Sequence, residues 1–329
     1  MASFFRSDVL SRAWEATWRH KSLWFFGLFA AILSFGEEYD VLIRNGDILD
    51  SIPRRLEQFK LATDQGVFSG FADSVRNFLQ VNPAGSLSIL ATWAIVVLAL
   101  AWLVIVSQGA LIEGARRHDA GKSLNVLEGF DVGMSNFWPI FLVNVIAKIV
   151  VYGLLVVVVV PLALVFFKTG STAAALTIML WTFIILFPVI VIIAFVTKFA
   201  NAYIVIKKYP VRQAIAGGWA LFARHWLVTF ELALLLVLIN FLVVFAAVST
   251  LVNAFNFPDL ATWEYLGFFV VLGFVFAWLT TFQFSAWTFL FLKLQNDEAP
   301  SKLRRIIHYI LDIRERPSKP VVAARPTRR

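Results

Sequence analysis

FWPIFLVNVIAKIVVYGLLVVVVVPLALVFF, residues Phe137–Phe167, contains one charged side chain, Lys148. At about 1.5 Å per helical residue the run outreaches a hydrocarbon core of ~30 Å, which needs about 20 residues. A helix on a water-soluble domain keeps its apolar residues to one stripe, whereas this run is apolar all round, as a lipid environment demands. Five further stretches read the same way: Leu23–Phe35, Leu87–Ile112, Ala173–Val196, Trp226–Val252 and Tyr265–Leu292. Leu23–Phe35 is the short one and reaches only about 20 Å as a helix. The region before it is long and carries Trp14 and Trp18, which is unlike a signal peptide.

The composition agrees. Hydrophobic residues make up 60% of the 329 and charged residues 15%, against roughly half and a quarter in soluble domains. The mean hydropathy is +0.77. Phe suits lipid-facing and packing positions and Trp the headgroup boundary, which accounts for the 33 Phe and 12 Trp. The net charge of +8 is not a nucleic-acid signature, because its distribution follows the bilayer. With six crossings and a cytoplasmic N-terminus, the inner pieces hold Arg6, Arg12, Arg19, Lys21, Arg116, Arg117, Lys122, Lys198, Lys207, Lys208, Arg212, Arg224 and the basic tail from Lys293 onward. These are most of the 29 Lys and Arg, and cationic loops stay inside during insertion. The expected location is a bacterial cytoplasmic (inner) membrane with both termini cytoplasmic. The absence of Cys excludes disulfides, thiolate catalysis and Cys-ligated metals.

The expected organisation has four parts. Residues 1–36 form an elbow helix and the first span, and 37–85 an extracytoplasmic loop. Residues 86–293 form the other five spans, and 294–329 a cytoplasmic interfacial helix with a basic tail. In the loop, Ile52, Leu56, Phe59 and Ala62, then Phe71, Val75, Phe78 and Leu79, recur at helical spacing between the turns Asn45-Gly46 and Asn82-Pro83, predicting two amphipathic helices. After Pro300, the apolar face Leu303, Ile306, Ile307, Ile310, Leu311 is flanked by Lys302, Arg304 and Arg305. That pattern predicts a helix in the cytoplasmic interface, with those three cations on anionic phospholipid headgroups. The segment from Pro317 has no apolar periodicity and reads as disordered.

A threefold pattern overlies this order. Asp8–Lys21, Asn125–Asn136 and Val211–His225 are short amphipathic segments rich in aromatics, each placed before an outward-going span. Trp18, Met134 and Phe222 align, and Trp138 and Trp226 follow at equal distance. The alternative origin of such a pattern is the general preference of interfacial helices for Trp and basic residues. The expected fold is therefore all-α: a polytopic six-helix transmembrane bundle, three hairpins each preceded by a cytoplasmic amphipathic elbow helix. If the repeat is genuine, its units are parallel about an axis along the membrane normal.

The string from Tyr203 to Trp226, YIVIKKYPVRQAIAGGWALFARHW, resembles a segment of the membrane domain attached to some glycerophosphodiester phosphodiesterases and of its stand-alone bacterial relatives. The elbow pattern falls on Ala214, Gly218, Trp219, Leu221 and Phe222, with weaker copies at Ala115–Phe137 and Arg12–Leu23. The resemblance implies a six-helix bacterial inner-membrane protein. These residues include no soluble phosphodiesterase domain, so that activity does not carry over.

No nucleotide-binding, zinc-protease or hydrolase motif occurs, and Gly66–Gly70 lacks the spacing and context of a nucleophile elbow. His20, His118, His225 and His308 are isolated in sequence at cytoplasmic ends, where a surface role outweighs metal binding. The cluster Glu37, Glu38, Asp40 reads as solvated and orientation-setting, with a divalent cation as the sharper alternative. The candidate intramembrane polar site is Lys148, Glu231, Asn240 and Asn144, since a charge in hydrocarbon is costly and tends to be functional. Lys148 lies about 15 Å beyond Trp138 and Glu231 about 7–8 Å beyond Trp226. They form either an interhelical lock or snorkelling residues on one side, or a relay or headgroup anchor on the other. Interhelical hydrogen bonding is the ordinary use of Asn144 and Asn240. Pro161 and Pro188 are expected to kink their spans.

Two functions stay open. The first is a non-enzymatic membrane scaffold, assembly or accessory component without a cofactor, metal or nucleic-acid partner. The second is a small-solute or lipid-headgroup transporter using Lys148, Glu231 and Asn240.

Overall fold

The computed structural model describes residues 4–37, 83–169, 172–255 and 262–295. The two loop helices of 37–85, the interfacial helix with Lys302, Arg304 and Arg305, and the basic tail lie outside the described residues. Among those described the chain is all-helical, with no strand and eight helices: α1 (Phe4–Arg19), α2 (Ser22–Glu37), α3 (Pro83–Asp119), α4 (Val126–Ser135), α5 (Phe137–Thr169), α6 (Thr172–Lys207), α7 (Val211–Phe255) and α8 (Thr262–Gln295). Five of them, α3 and α5 to α8, are long and apolar enough to cross a membrane. The sixth apolar helix, α2, has 16 residues, or about 24 Å.

Local chemistry sets the ends. Pro83 and Pro139 sit in first turns, where a missing N–H costs no intrahelical bond. Past α6, Lys208 takes a left-handed φ of 58°, its N–H bonds the carbonyl of Ile204 at 3.1 Å, and Pro210 stops continuation. The helix α4 breaks into α5 at Asn136 (φ −107°, ψ 6°), whose side-chain amide donates to the Val132 carbonyl at 2.6 Å. The helices α5 and α6 run on through Pro161 and Pro188. The residue with non-helical angles inside a long helix is His225 of α7 (φ −126°, ψ 29°). A freed carbonyl beside a proline is easily re-paired in a bundle.

The helices α3, α6 and α8 contact one another, and the other spans sit outside them: α2 against α8 and α3, α5 against α6 and α3, α7 against α6 and α8. The short helices follow the same rule, α1 lying on α8 and α4 on α3. Two glycines permit this seating. A Cβ on Gly133 of α4 would stand 2.4 Å from the Val106 carbonyl of α3, and one on Gly218 of α7 would stand 2.8 Å from the Val196 carbonyl of α6. The main core fills the joint between these elements, with Phe199, Ile204, Leu232, Leu290 and Phe291 almost wholly buried.

Packing is concentrated at that end. Every residue of α3 from Leu87 to Trp102 is exposed, including Trp93, Ile95 and Leu98. An apolar helix exposed on all sides is unstable in water and at home in hydrocarbon.

Gly133→Ala is expected to destabilise the fold by about 1–3 kcal/mol, because its Cβ meets backbone and not a yielding side chain. Nothing lies within 4 Å of a Cβ at Gly153 on α5, so Gly153→Ala should stabilise the helix by about 0.5–1 kcal/mol. Thermal unfolding in detergent followed by far-UV circular dichroism checks both, and equal effects would refute the close-packed seam.

Candidate functional site

At the packed end, the amphipathic helix α1 is tied to α3 and α8 by charge. Asp8 accepts from Lys293 at 2.9 Å and from Arg12 at 2.6 Å, and Arg12 reaches Asp119 at 3.0 Å. With Val9, Phe289 and Leu292 these four line a cleft of about 80 Å³. The hydrogen bond from Lys293 holds the Asp8 carboxyl below its ordinary pKa; partial burial opposes this, and the charges of Lys293 and Arg12 add to it. Beside the cleft, the Glu113 side chain is 7% exposed and accepts from Arg116 at 2.6 and 2.7 Å and from Arg117 at 3.1 Å. Arg117 also binds Glu128 of α4.

Two histidines far apart in sequence meet here. His20 Nε2 and His118 Nδ1 are 3.0 Å apart. Burial, then the neighbouring charge of His118, then Arg19 push the His20 pKa below 6.5. Trp14, Trp18, Trp24, Trp278 and Phe282 form a cluster of tilted and edge-on rings, with Trp278 and Phe282 stacked. The Trp24 indole donates to the Thr17 carbonyl at 2.8 Å.

The polar residues of the spans lie at several depths. Asn144 of α5 donates to Gln108 of α3 at 3.1 Å and to the Ile140 carbonyl at 3.0 Å, a buried amide clamp. Lys148 and Glu231 are each half-buried, on α5 and α7, two helices in contact. Neither is free of partners. Measured from the breaks at Asn136 and His225, their depths are about 18 and 9 Å, with Asn144 at about 12 and Asn240 at about 22 Å. Asn240 is fully buried, and neither amide atom has a hydrogen-bond partner among the described residues. Ser107 and Ser285 Oγ and Asn201 Oδ1 share that state.

Several participants escaped the sequence reading. Lys198, counted there with the loop cations, lies inside α6 with its Nζ 4.8 Å from the Trp287 ring centre. Gln108 and Glu113 are buried on α3. A polar residue inside an apolar run marks such positions, and the run Leu87–Ile112 contains Gln108. What hydropathy cannot supply is the partner.

No family model matches the chain, no curated protein does, and no solved structure does.

Because Asp8 titrates below its ordinary 3.8, its contribution to stability is full above about pH 4. It is lost as the pH falls through the lower folded value. Asp8→Asn is expected to cost about 1 kcal/mol and to speed amide hydrogen exchange across α1, with acidification of the native chain below pH 4 doing the same. Unchanged exchange in the variant would mean that packing alone holds α1.

Proposed function

We propose that the chain crosses a bacterial inner membrane six times, α2 included, with both termini cytoplasmic, and acts as a non-enzymatic scaffold, assembly or accessory component. The observation that carries the scaffold reading is the aromatic closure between central helices. Phe195, Phe199 and Tyr203 of α6 pack on Trp287 and Phe291 of α8, which sets close-packed rings between two of the three mutually contacting helices. Such a centre suits a rigid body that holds its surface for a partner.

The orientation rests on one end of the bundle. Trp14, Trp18, Trp138, Trp219 and Trp226 are all exposed and flank the three breaks, with Arg19, Lys208 and Arg224 alongside. Amphipathic rings at headgroup level and cations on the cytoplasmic side account for that grouping. On this reading α1, α4 and the first part of α7 are elbow helices of three hairpin units, each lying on the inward span that precedes it in cyclic order. The likeness of Tyr203–Trp226 to the phosphodiesterase-associated membrane domain belongs to the same proposal. So does contact of Lys302, Arg304 and Arg305 with anionic phospholipid headgroups.

The chain has no Cys, so single cysteines report topology cleanly. An impermeant maleimide should label Asn45→Cys in intact spheroplasts, and Ser11→Cys and Lys122→Cys only after permeabilisation. Labelling of Ser11→Cys and Asn45→Cys from the same side would remove the crossing of α2.

A second reading, transport of a small solute or lipid headgroup along Lys148, Glu231 and Asn240, is favoured by one observation. The amide of Asn240 is buried without a hydrogen-bond partner among the described residues, a state that costs about 1–3 kcal/mol and that a passing polar solute relieves. Proteoliposomes tested for osmotic swelling with a panel of small solutes separate the two. The scaffold predicts swelling equal to empty vesicles and a more heat-stable Asn240→Leu. Swelling above that level, abolished by Asn240→Leu, would establish transport instead.

A further inference from the structure

The junctions between a short lead helix and the span after it fall at His20–Lys21, Asn136 and His225. In two of them a side chain from the end of the next inward-running helix reaches the junction residue. His118, at the end of α3, meets His20 at 3.0 Å, the rings edge-on with centres 5.1 Å apart. Lys208, just past α6, donates to Asn136 Oδ1 at 3.1 Å. The two ties occupy the same place in successive hairpins and differ in chemistry.

An ammonium on an amide oxygen keeps its donor and its acceptor across the physiological pH range. An imidazole pair does not. Neutral, one ring donates and the other accepts; a first proton still leaves one acceptor nitrogen, but a second leaves two donors and two like charges. The surroundings offset that charge only in part, since burial outweighs the carboxylates at His118. The carboxylates near His118 are Glu15 of α1 and Asp119 of α3, and both are already held by arginines, Glu15 by Arg19 at 3.0 Å and Asp119 by Arg12 at 3.0 Å. Arg19 adds further positive charge beside His20, Lys21 and Lys122 flank the contact in sequence, and α8 brings the ring of Phe289 against His118, with Lys293 in the adjoining cleft.

We propose that the His20–His118 contact is a proton-released latch at the base of the first hairpin, for which the Lys208–Asn136 tie is the pH-insensitive counterpart in the second. Release removes the tie between His20 and the end of α3, while Asp8–Lys293 and Arg12–Asp119 keep the first half of α1 docked and Ser22–Leu124 holds the start of α2. The junction thus hinges without the helix leaving. The His20 pKa is depressed below 6.5 by burial and by His118 and Arg19. The latch is therefore closed at neutral pH, and its stabilisation is lost as the pH falls from about 6.5 through the lower folded value.

The test uses the full chain in lipid nanodiscs with two spin-label pairs, read by pulsed dipolar spectroscopy from pH 8 to pH 5. Lys21→Cys with Lys122→Cys spans the latch, and Ser135→Cys with Lys207→Cys spans the second tie. The first pair should lengthen and broaden on acidification, with a midpoint below pH 6.5, while the second stays fixed. His118→Gln, which keeps an acceptor at every pH, should hold the first pair at its pH 8 distance throughout. An unmoved first pair, a full response retained in His118→Gln, or both pairs moving together would overturn the latch. If His118→Gln misfolds at pH 8, the two pairs in the native-histidine chain decide alone.

Discussion

A peptide N–H or C=O without a partner in hydrocarbon costs several kcal/mol, and that constraint shapes every described element. It makes the long apolar runs helices, because a helix pairs its own backbone. Among the described residues the breaks between helices lie at the packed end, and each is satisfied locally. Asn136 folds its amide back onto Val132, Lys208 bonds Ile204 from a left-handed conformation, and Ser22 donates to the Leu124 carbonyl at 2.9 Å. Proline inside α5 and α6 is absorbed without a change of element.

The hydrophobic effect does not drive one apolar helix onto another in lipid, so association rests on close contact and on buried polar pairs. The glycines at 133 and 218 let short helices approach backbone to backbone. Asn144 and Gln108 join α5 to α3, and Thr281 of α8 donates to the Leu23 carbonyl of α2 at 3.3 Å. Aromatic rings fill the rest. The result is a bundle dense at one end and open toward its surroundings at the other, where α3 presents every side chain outward.

Charge is handled differently at the dense end. There the ion pairs are partly solvated, and their role is to fix where α1 lies against α3 and α8. Salt bridges of this exposure contribute little to stability but much to register, since like-charge alternatives are penalised. The histidine contact belongs to this group and joins two imidazoles, both held below their ordinary pKa chiefly by burial.

The all-helical class and the presence of several helices long and apolar enough to cross a membrane followed from the sequence. A long run without polar residues has one way to pair its backbone, and Trp and cations mark its ends. The polar candidates Asn144, Lys148, Glu231 and Asn240 were legible for the same reason, as exceptions to an apolar background. Only the tertiary structure decided which of them meet and what they meet. Asn144 found Gln108, His20 found His118 from 98 residues away, and Asp8 found Lys293 from 285 away. Helix neighbours are selected by the fit of small and aromatic side chains across a seam, and hydropathy, which counts how apolar a residue is, carries no record of that shape.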